Sequence, residues 1–103
     1  MKVIEMRADF DSQANAISIR LADVDRADRA DQIDKRTIVA VRDGQPIELQ
    51  VLYPDLGLDA PLQAVADRYD LDADALTAAA TAALAAPDRA VTLDVAASPT
   101  PLV

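Results

Sequence analysis

The chain has 103 residues and a formal net charge of −8, with 18 acidic residues against 10 basic ones. It contains neither cysteine nor histidine, which excludes disulfides, thiolate nucleophiles, the usual zinc sites and histidine general bases. This length predicts one domain, and the negative charge repels nucleic acid and anionic lipid while it attracts basic partners.

The N-terminal part of the chain has the residue pattern of a β-hairpin. Apolar and polar residues alternate over residues 4–10 and again over residues 16–21, where Ile17, Ile19 and Leu21 share one face. Asp11 and Asn15 lie in the intervening turn, and we expect them to bond to turn amides rather than to a substrate.

Residues 22–36, ADVDRADRADQIDKR, carry acids and bases in alternation. The pattern is compatible with an exposed edge strand, whose charges discourage edge-to-edge pairing, or with a mobile loop. The preferred interpretation is a loop that leads into an edge strand. The acids of this segment are the predicted partner-binding residues: Asp23, Asp25, Asp28, Asp31 and Asp34.

A second hairpin is predicted around Asp43-Gly44, a strong turn signal. The strand before it, TIVAV at residues 37–41, is apolar on both faces, and alternation resumes over residues 47–51. Pro46 fits at the start of the fourth strand, where a missing amide hydrogen is tolerated. Because one helical layer covers only one face of a sheet, the doubly apolar strand also predicts a homodimer.

Two helices are expected after this hairpin. Asp59 is predicted to cap the first, whose apolar stripe has helical spacing: Leu62, Val65, Ala66 and Tyr69. Asp72 is predicted to cap the second, with Leu71 and Leu76 forming a hydrophobic staple, and Pro87 ends it. Alternation over residues 91–95 then returns the chain to the sheet.

The predicted fold class is α+β, an antiparallel β-sheet of about five strands (two hairpins plus a returning C-terminal strand) with a two-helix hairpin packed on one face. Residues 1–97 are expected to form a single domain, and residues 98–103 a disordered tail. The N-terminal residues carry acids, and no apolar run approaches the ~20 residues that cross a bilayer. We therefore expect a cytoplasmic protein that does not bind membranes.

The stretch FDSQANAISIRL, residues 10–21, resembles the opening signature of the bacterial domain-of-unknown-function family 2283. The matching positions are Phe10, Asp11, Ala14, Asn15, Ala16, Ile17, Ile19 and Leu21. Residues 37–52, with Asp43 and Gly44 at the turn, are similar to the second half of that family. Ser18, Glu48 and Gln50 depart from its usual Tyr, Gly and Glu. The resemblance implies a fold and a loose association with toxin-antitoxin pairs, but no activity.

Several motifs that could carry chemistry favour a structural interpretation. Residues 70–75, DLDADA, begin like a calcium loop, but Ala75 and Thr81 stand where an EF-hand needs Gly and a bidentate Glu. The two helices resemble a helix-turn-helix, yet residues 73–86 hold no Lys, Arg, Asn or Gln to meet DNA. No catalytic, cofactor-binding or metal-binding residue is therefore predicted, and no nucleic-acid partner.

The sequence thus predicts a small acidic interaction protein that is not an enzyme and uses no cofactor. Its expected partner is a basic protein, attracted at long range by the five acids of residues 22–36 and then held by a modest apolar patch. An antitoxin-like role is the most concrete version of this hypothesis. The alternative is a carboxylate-based domain that binds a divalent metal or a small ligand, or an enzyme of that kind.

Overall fold

A computed structural model describes residues 3–24 and 26–96, and the side chains of residues 6–24 and 26–93. The described residues form six strands, β1 (Val3–Asp11), β2 (Ala16–Arg20), β3 (Arg29–Asp34), β4 (Thr37–Arg42), β5 (Gln45–Leu52) and β6 (Val91–Ala96). They make one sheet in the order β3-β4-β5-β2-β1-β6, and all neighbours run antiparallel. Helices α1 (Asp59–Tyr69) and α2 (Ala73–Ala85) pack on one face, so the fold is α+β as predicted.

The first hairpin is confirmed, and its apolar residues lie on one face as predicted. Phe10 lies opposite Ile17 and Ala8 opposite Ile19. Both isoleucines are fully buried under the helices, because the period-2 alternation places all of these side chains on the same side of the sheet.

The turn of this hairpin is held by its own polar side chains, as expected for Asp11. Its Oδ1 accepts hydrogen bonds from the amides of Gln13 (3.0 Å) and Ala14 (3.1 Å). Asn15 behaves differently from the prediction, because its side chain donates to Asp55 (3.3 Å) rather than to a turn amide. Its backbone takes a left-handed conformation, φ 54°, that asparagine tolerates better than most residues.

The sheet has six strands rather than about five, because the edge strand expected in the charged segment 22–36 adds to the two hairpins and the returning strand. The described residues of the first part of this segment form no helix or strand, and its second part is β3, which pairs with β4 at the edge of the sheet. The interpretation as a loop leading into an edge strand is therefore confirmed.

The second hairpin turns at Asp43 (φ 52°) and Gly44 (φ 79°), both in the left-handed region. Two successive positive φ values make a two-residue turn whose twist suits a hairpin, which explains the Asp-Gly pair. Pro46 is the second residue of β5 rather than the first. It lies opposite Val41, where the register shifts, so its missing amide hydrogen falls at an irregular point of the ladder.

Helix α1 buries the predicted stripe but is not capped by Asp59. Leu62, Val65 and Ala66 are buried, and Tyr69 packs against the core. The cap position is Leu58, without a side-chain hydrogen bond, and Asp59 is already the first helical residue. A capping side chain must precede the first helical residue, so the predicted cap is wrong by one position.

Helix α2 begins as predicted. The Asp72 carboxylate accepts hydrogen bonds from the amides of Asp74 (3.0 Å) and Ala75 (3.3 Å). Leu76 is fully buried and Leu71 packs against the core. The residues of α2 that face the sheet are otherwise small, with Ala79, Ala80 and Ala83 fully buried. Methyl side chains let this helix lie close to the strands.

The last described element returns to the sheet as expected. Strand β6 pairs with β1, with Leu93 opposite Met6 and Val91 opposite Ala8. The predicted tail, residues 98–103, lies outside the described residues.

Candidate interaction surfaces

The predicted partner-binding acids do not form one free acidic surface. Asp23 is exposed, and Asp25 lies outside the described residues. Asp28 accepts a hydrogen bond from the Asp43 amide (2.9 Å), and Asp34 accepts one from the Arg36 amide (2.8 Å). The structure therefore uses two of these carboxylates to hold turns.

The loop before β3 is tied down by arginines from other strands. Arg20 donates from Nη1 to the carbonyl of Val24 (2.8 Å), and Arg42 donates from Nη1 to the carbonyl of Arg26 (3.2 Å). Guanidinium groups that bond to loop carbonyls keep the path of the chain close to the sheet. Residues 22–36 also contain four basic residues against their five acids, so the net charge of the segment is small.

Asp31 is the centre of a polar cluster that joins β3 to α1. Its carboxylate receives hydrogen bonds from Arg29 Nε (3.1 Å) and the Tyr69 hydroxyl (2.5 Å), and Arg68 Nη2 lies 3.6 Å away. The hydrogen bond from Arg29, followed by that from Tyr69, holds the pKa of Asp31 below its ordinary value. Burial, with the bond to Asp31 adding to it, raises the pKa of the Tyr69 hydroxyl.

This cluster makes the stability of the fold depend on pH in the acidic range. The folded carboxyl of Asp31 resists protonation, while the unfolded one takes a proton near its ordinary pKa of 3.8, so protonation favours unfolding. We expect Asp31→Asn to lower the midpoint of thermal unfolding at pH 7 and to flatten its decline as pH falls below about 4.

The control for this prediction is Asp23→Asn, which changes an exposed carboxylate outside the cluster. It should leave the acid dependence as in the wild type. Some acid dependence should also survive in Asp31→Asn, because the bonds from Ser12 lower the pKa of Asp88 as well. An acid dependence in Asp31→Asn as steep as that of the wild type would contradict the role assigned to this cluster.

The two helices carry an excess of negative charge. All five aspartates of residues 59–85 are exposed, and we call them the acidic helical surface: Asp59, Asp67, Asp70, Asp72 and Asp74. The same range holds one basic residue, Arg68, whose guanidinium lies against Asp31 and over the ring of Tyr69. The acids are therefore largely uncompensated by bases of the helices themselves.

The sequence predicts Asp72 as a helix cap and places the partner-binding charges in residues 22–36. The cap is confirmed, and Asp74 lies in the first turn of the same helix. An acid that complements the helix dipole still projects charge into solvent. The sequence feature that indicates the acidic helical surface is the ratio of five aspartates to one arginine over residues 59–85.

No helix or strand among the described residues packs on the sheet face away from the helices. Its central part is formed by uncharged side chains of four strands, which we call the open patch: Ser18, Ala30, Gln32, Ile38, Ala40, Gln50 and Leu52. Ile38 is 37% exposed although it belongs to an internal strand. TIVAV is thus apolar on both faces, and its second face has no cover within the described chain.

The surface of the open patch is indented. A groove of about 310 Å³ and a smaller depression of about 90 Å³ both include Ile38 and Gln50 in their walls. The two indentations are therefore adjacent. The groove is bordered by Lys35 and Arg36, and the depression by Glu48.

A third feature is a groove of about 420 Å³ beside the first turn. Its wall includes Ser12, which donates its amide (2.9 Å) and its hydroxyl (2.7 Å) to the two oxygens of Asp88. Asp11, also in the wall, is bonded to turn amides. These contacts tie the first turn to the segment before β6, and they give the two carboxylates a structural role.

Two wider searches of the molecule bear on other kinds of site. Among the residues that the structure describes, no three acidic side chains converge as ligands of a metal ion. Within the same part of the chain, no helix has the length and apolar character needed to span a membrane.

Comparison of the chain with protein-family models, curated proteins and solved structures gives no match. What the protein does must therefore be argued from its own surfaces.

Proposed function

We propose that this protein is a non-catalytic interaction domain that binds a basic partner protein through the acidic helical surface. One observation carries the proposal: five exposed aspartates stand against a single arginine on the helical layer, and that arginine is engaged by Asp31. Fixed charges on two packed helices act over about 8 Å at physiological ionic strength, far enough to steer a partner before contact.

The exposed acids of residues 22–36 have a secondary role in this proposal. Asp23, Asp28 and Asp34 add to the negative field, while Arg26, Arg29 and Lys35 beside them reduce it. An antitoxin-like task in the cytoplasm remains the most concrete version, in line with the proposed resemblance to family 2283. The metal-binding alternative has no cluster of ligands to support it within the described residues.

We propose in addition that the protein self-associates. Ile38 and Ala40 on the outer side of β4 support this, because apolar side chains in the middle of an uncovered sheet favour contact with another surface.

The test of partner binding uses a labelled lysine-rich peptide of about 15 residues, with a glutamate-rich peptide of equal length as the control. We expect the affinity for the lysine-rich peptide to fall roughly tenfold, about 1.4 kcal/mol, between about 50 and 300 mM NaCl. The acidic peptide should not bind. Salt-independent binding, or equal binding of both peptides, would contradict the proposal.

A further inference from the structure

The edge of the open patch carries both signs of charge. Among the described side chains around the uncharged centre, Lys35 and Arg36 border the groove, and the strands present three arginines and three acids: Arg7, Arg20, Arg42, Asp9, Asp11 and Glu48. Arg20 and Glu48 are paired across neighbouring strands, with Nη2 and Oε1 3.8 Å apart. The described side chains of this face thus carry no excess of acids, although the net charge of the chain is −8.

The two faces of the molecule therefore differ in the kind of surface that they can bind. Two acidic helical surfaces repel each other, because each carries five aspartates and one arginine. Two open patches bring together uncharged centres and mixed-sign edges, where an arginine of one copy can face an acid of the other. A basic partner gains little here, because the arginines offset the acids.

We infer that the open patch is the surface through which two copies of this chain bind each other, face to face, with the helices outward. The inference rests on the self-association proposed above and adds the surface and its arrangement. Stacked sheets lie about 10 Å apart, and the alanines and Ser18 of the patch allow such an approach. The dimer displays its two acidic helical surfaces on opposite sides, so it can bind two basic partners.

The size of this face predicts a weak dimer. Six strands about 4.8 Å apart and about five residues long span roughly 500 Å². A standard stable interface uses about 800 Å² per partner, so this face lies below that size. We expect half-dissociation in the micromolar range, on the order of 10–100 μM.

The test is sedimentation equilibrium of the full chain from about 1 μM to 1 mM, with Ile38→Asp and its matched control Leu84→Asp. Both residues are 37% exposed, but Leu84 lies on α2, away from the open patch. We expect the wild type and Leu84→Asp to reach the dimer mass and Ile38→Asp to weaken association at least tenfold. Gln50→Glu, which changes an exposed polar residue of the same patch, should also weaken association. This second variant separates an effect on the surface from misfolding.

Different results overturn different parts of the account. A wild type that stays monomeric at 1 mM refutes self-association and, with it, the inference. A wild-type dimer that Ile38→Asp and Gln50→Glu leave intact refutes the open patch as the interface, while self-association stands. Neither result bears on peptide binding by the helices, which is measured separately.

Discussion

Replacing Leu76 by alanine is expected to destabilise the fold more than any other single change considered above, by about 2–5 kcal/mol. Leu76 is fully buried in α2, between the helix and the sheet. Its neighbours along the buried side of the helix are Ala79, Ala80 and Ala83, which are too small to fill the cavity left behind. Because a domain of this size is stable by about 5–15 kcal/mol, the loss should be conspicuous in urea unfolding.

The matched control is Leu84→Ala in the same helix. Leu84 is 37% exposed, so the variant removes less buried surface and has the same change in helix propensity. We expect a loss below about 1 kcal/mol from it. Equal losses from the two variants would mean that α2 does not pack with Leu76 inward.

The second large effect is expected from Arg36, which joins the start of β4 to the chain after β5. Its guanidinium donates from Nη1 to the carbonyls of Leu52 (3.3 Å) and Tyr53 (2.7 Å), and from Nη2 to that of Gly57 (2.8 Å). Tyr53 takes a left-handed backbone conformation, φ 53°, that tyrosine rarely adopts. Arg36 thus stabilises a strained connection between the sheet and α1.

Arg36→Ala should lower the free energy of unfolding by about 1–2 kcal/mol, because water can replace only some of the hydrogen bonds that the half-buried guanidinium donates. Arg36→Lys keeps the charge but not the planar fork, so it should recover less than half of the loss. Chemical denaturation of the three proteins measures both values. Full recovery of the free energy of unfolding in Arg36→Lys would show that the positive charge, and not the planar arrangement of donors, stabilises this connection.

The elements that sequence predicts correctly are those set by local chemistry. The hairpin at Asp43-Gly44 follows from two residues that tolerate positive φ, and the start of α2 follows from the carboxylate of Asp72. The first hairpin follows from alternation that ends in the buried pair Ile17 and Ile19. In each case, the residues that determine the structure are within a few positions of one another.

The features that sequence did not predict depend on residues that are distant in the chain. The loop before β3 is held by Arg20 and Arg42, and Asp31 is bound by Tyr69, which is 38 positions away. No pattern within residues 22–36 shows that these side chains will meet. The sequence therefore predicts partner binding by the acids of this segment, although its bases and its structural contacts reduce the negative charge available to a partner.

Both the sequence and the fold are needed to identify the candidate interaction surfaces. The sequence shows how many acids residues 59–85 contain, but only the fold shows that these acids are exposed on two packed helices. The same holds for the open patch. The sequence shows that TIVAV is apolar on both faces, whereas the mixed charges around it come together only in the fold, from four different strands.

The most direct test of the proposed function compares two triple variants in calorimetric titrations with the lysine-rich peptide. Asp67→Asn/Asp70→Asn/Asp74→Asn removes three of the five charges of the acidic helical surface and leaves the cap residue Asp72 in place. Asp23→Asn/Asp28→Asn/Asp34→Asn removes the same charge from the segment around β3. We expect the helical variant to lose about tenfold in affinity, 1.4 kcal/mol, and the other less than about threefold. Equal losses, or the larger loss from the segment around β3, would contradict the account.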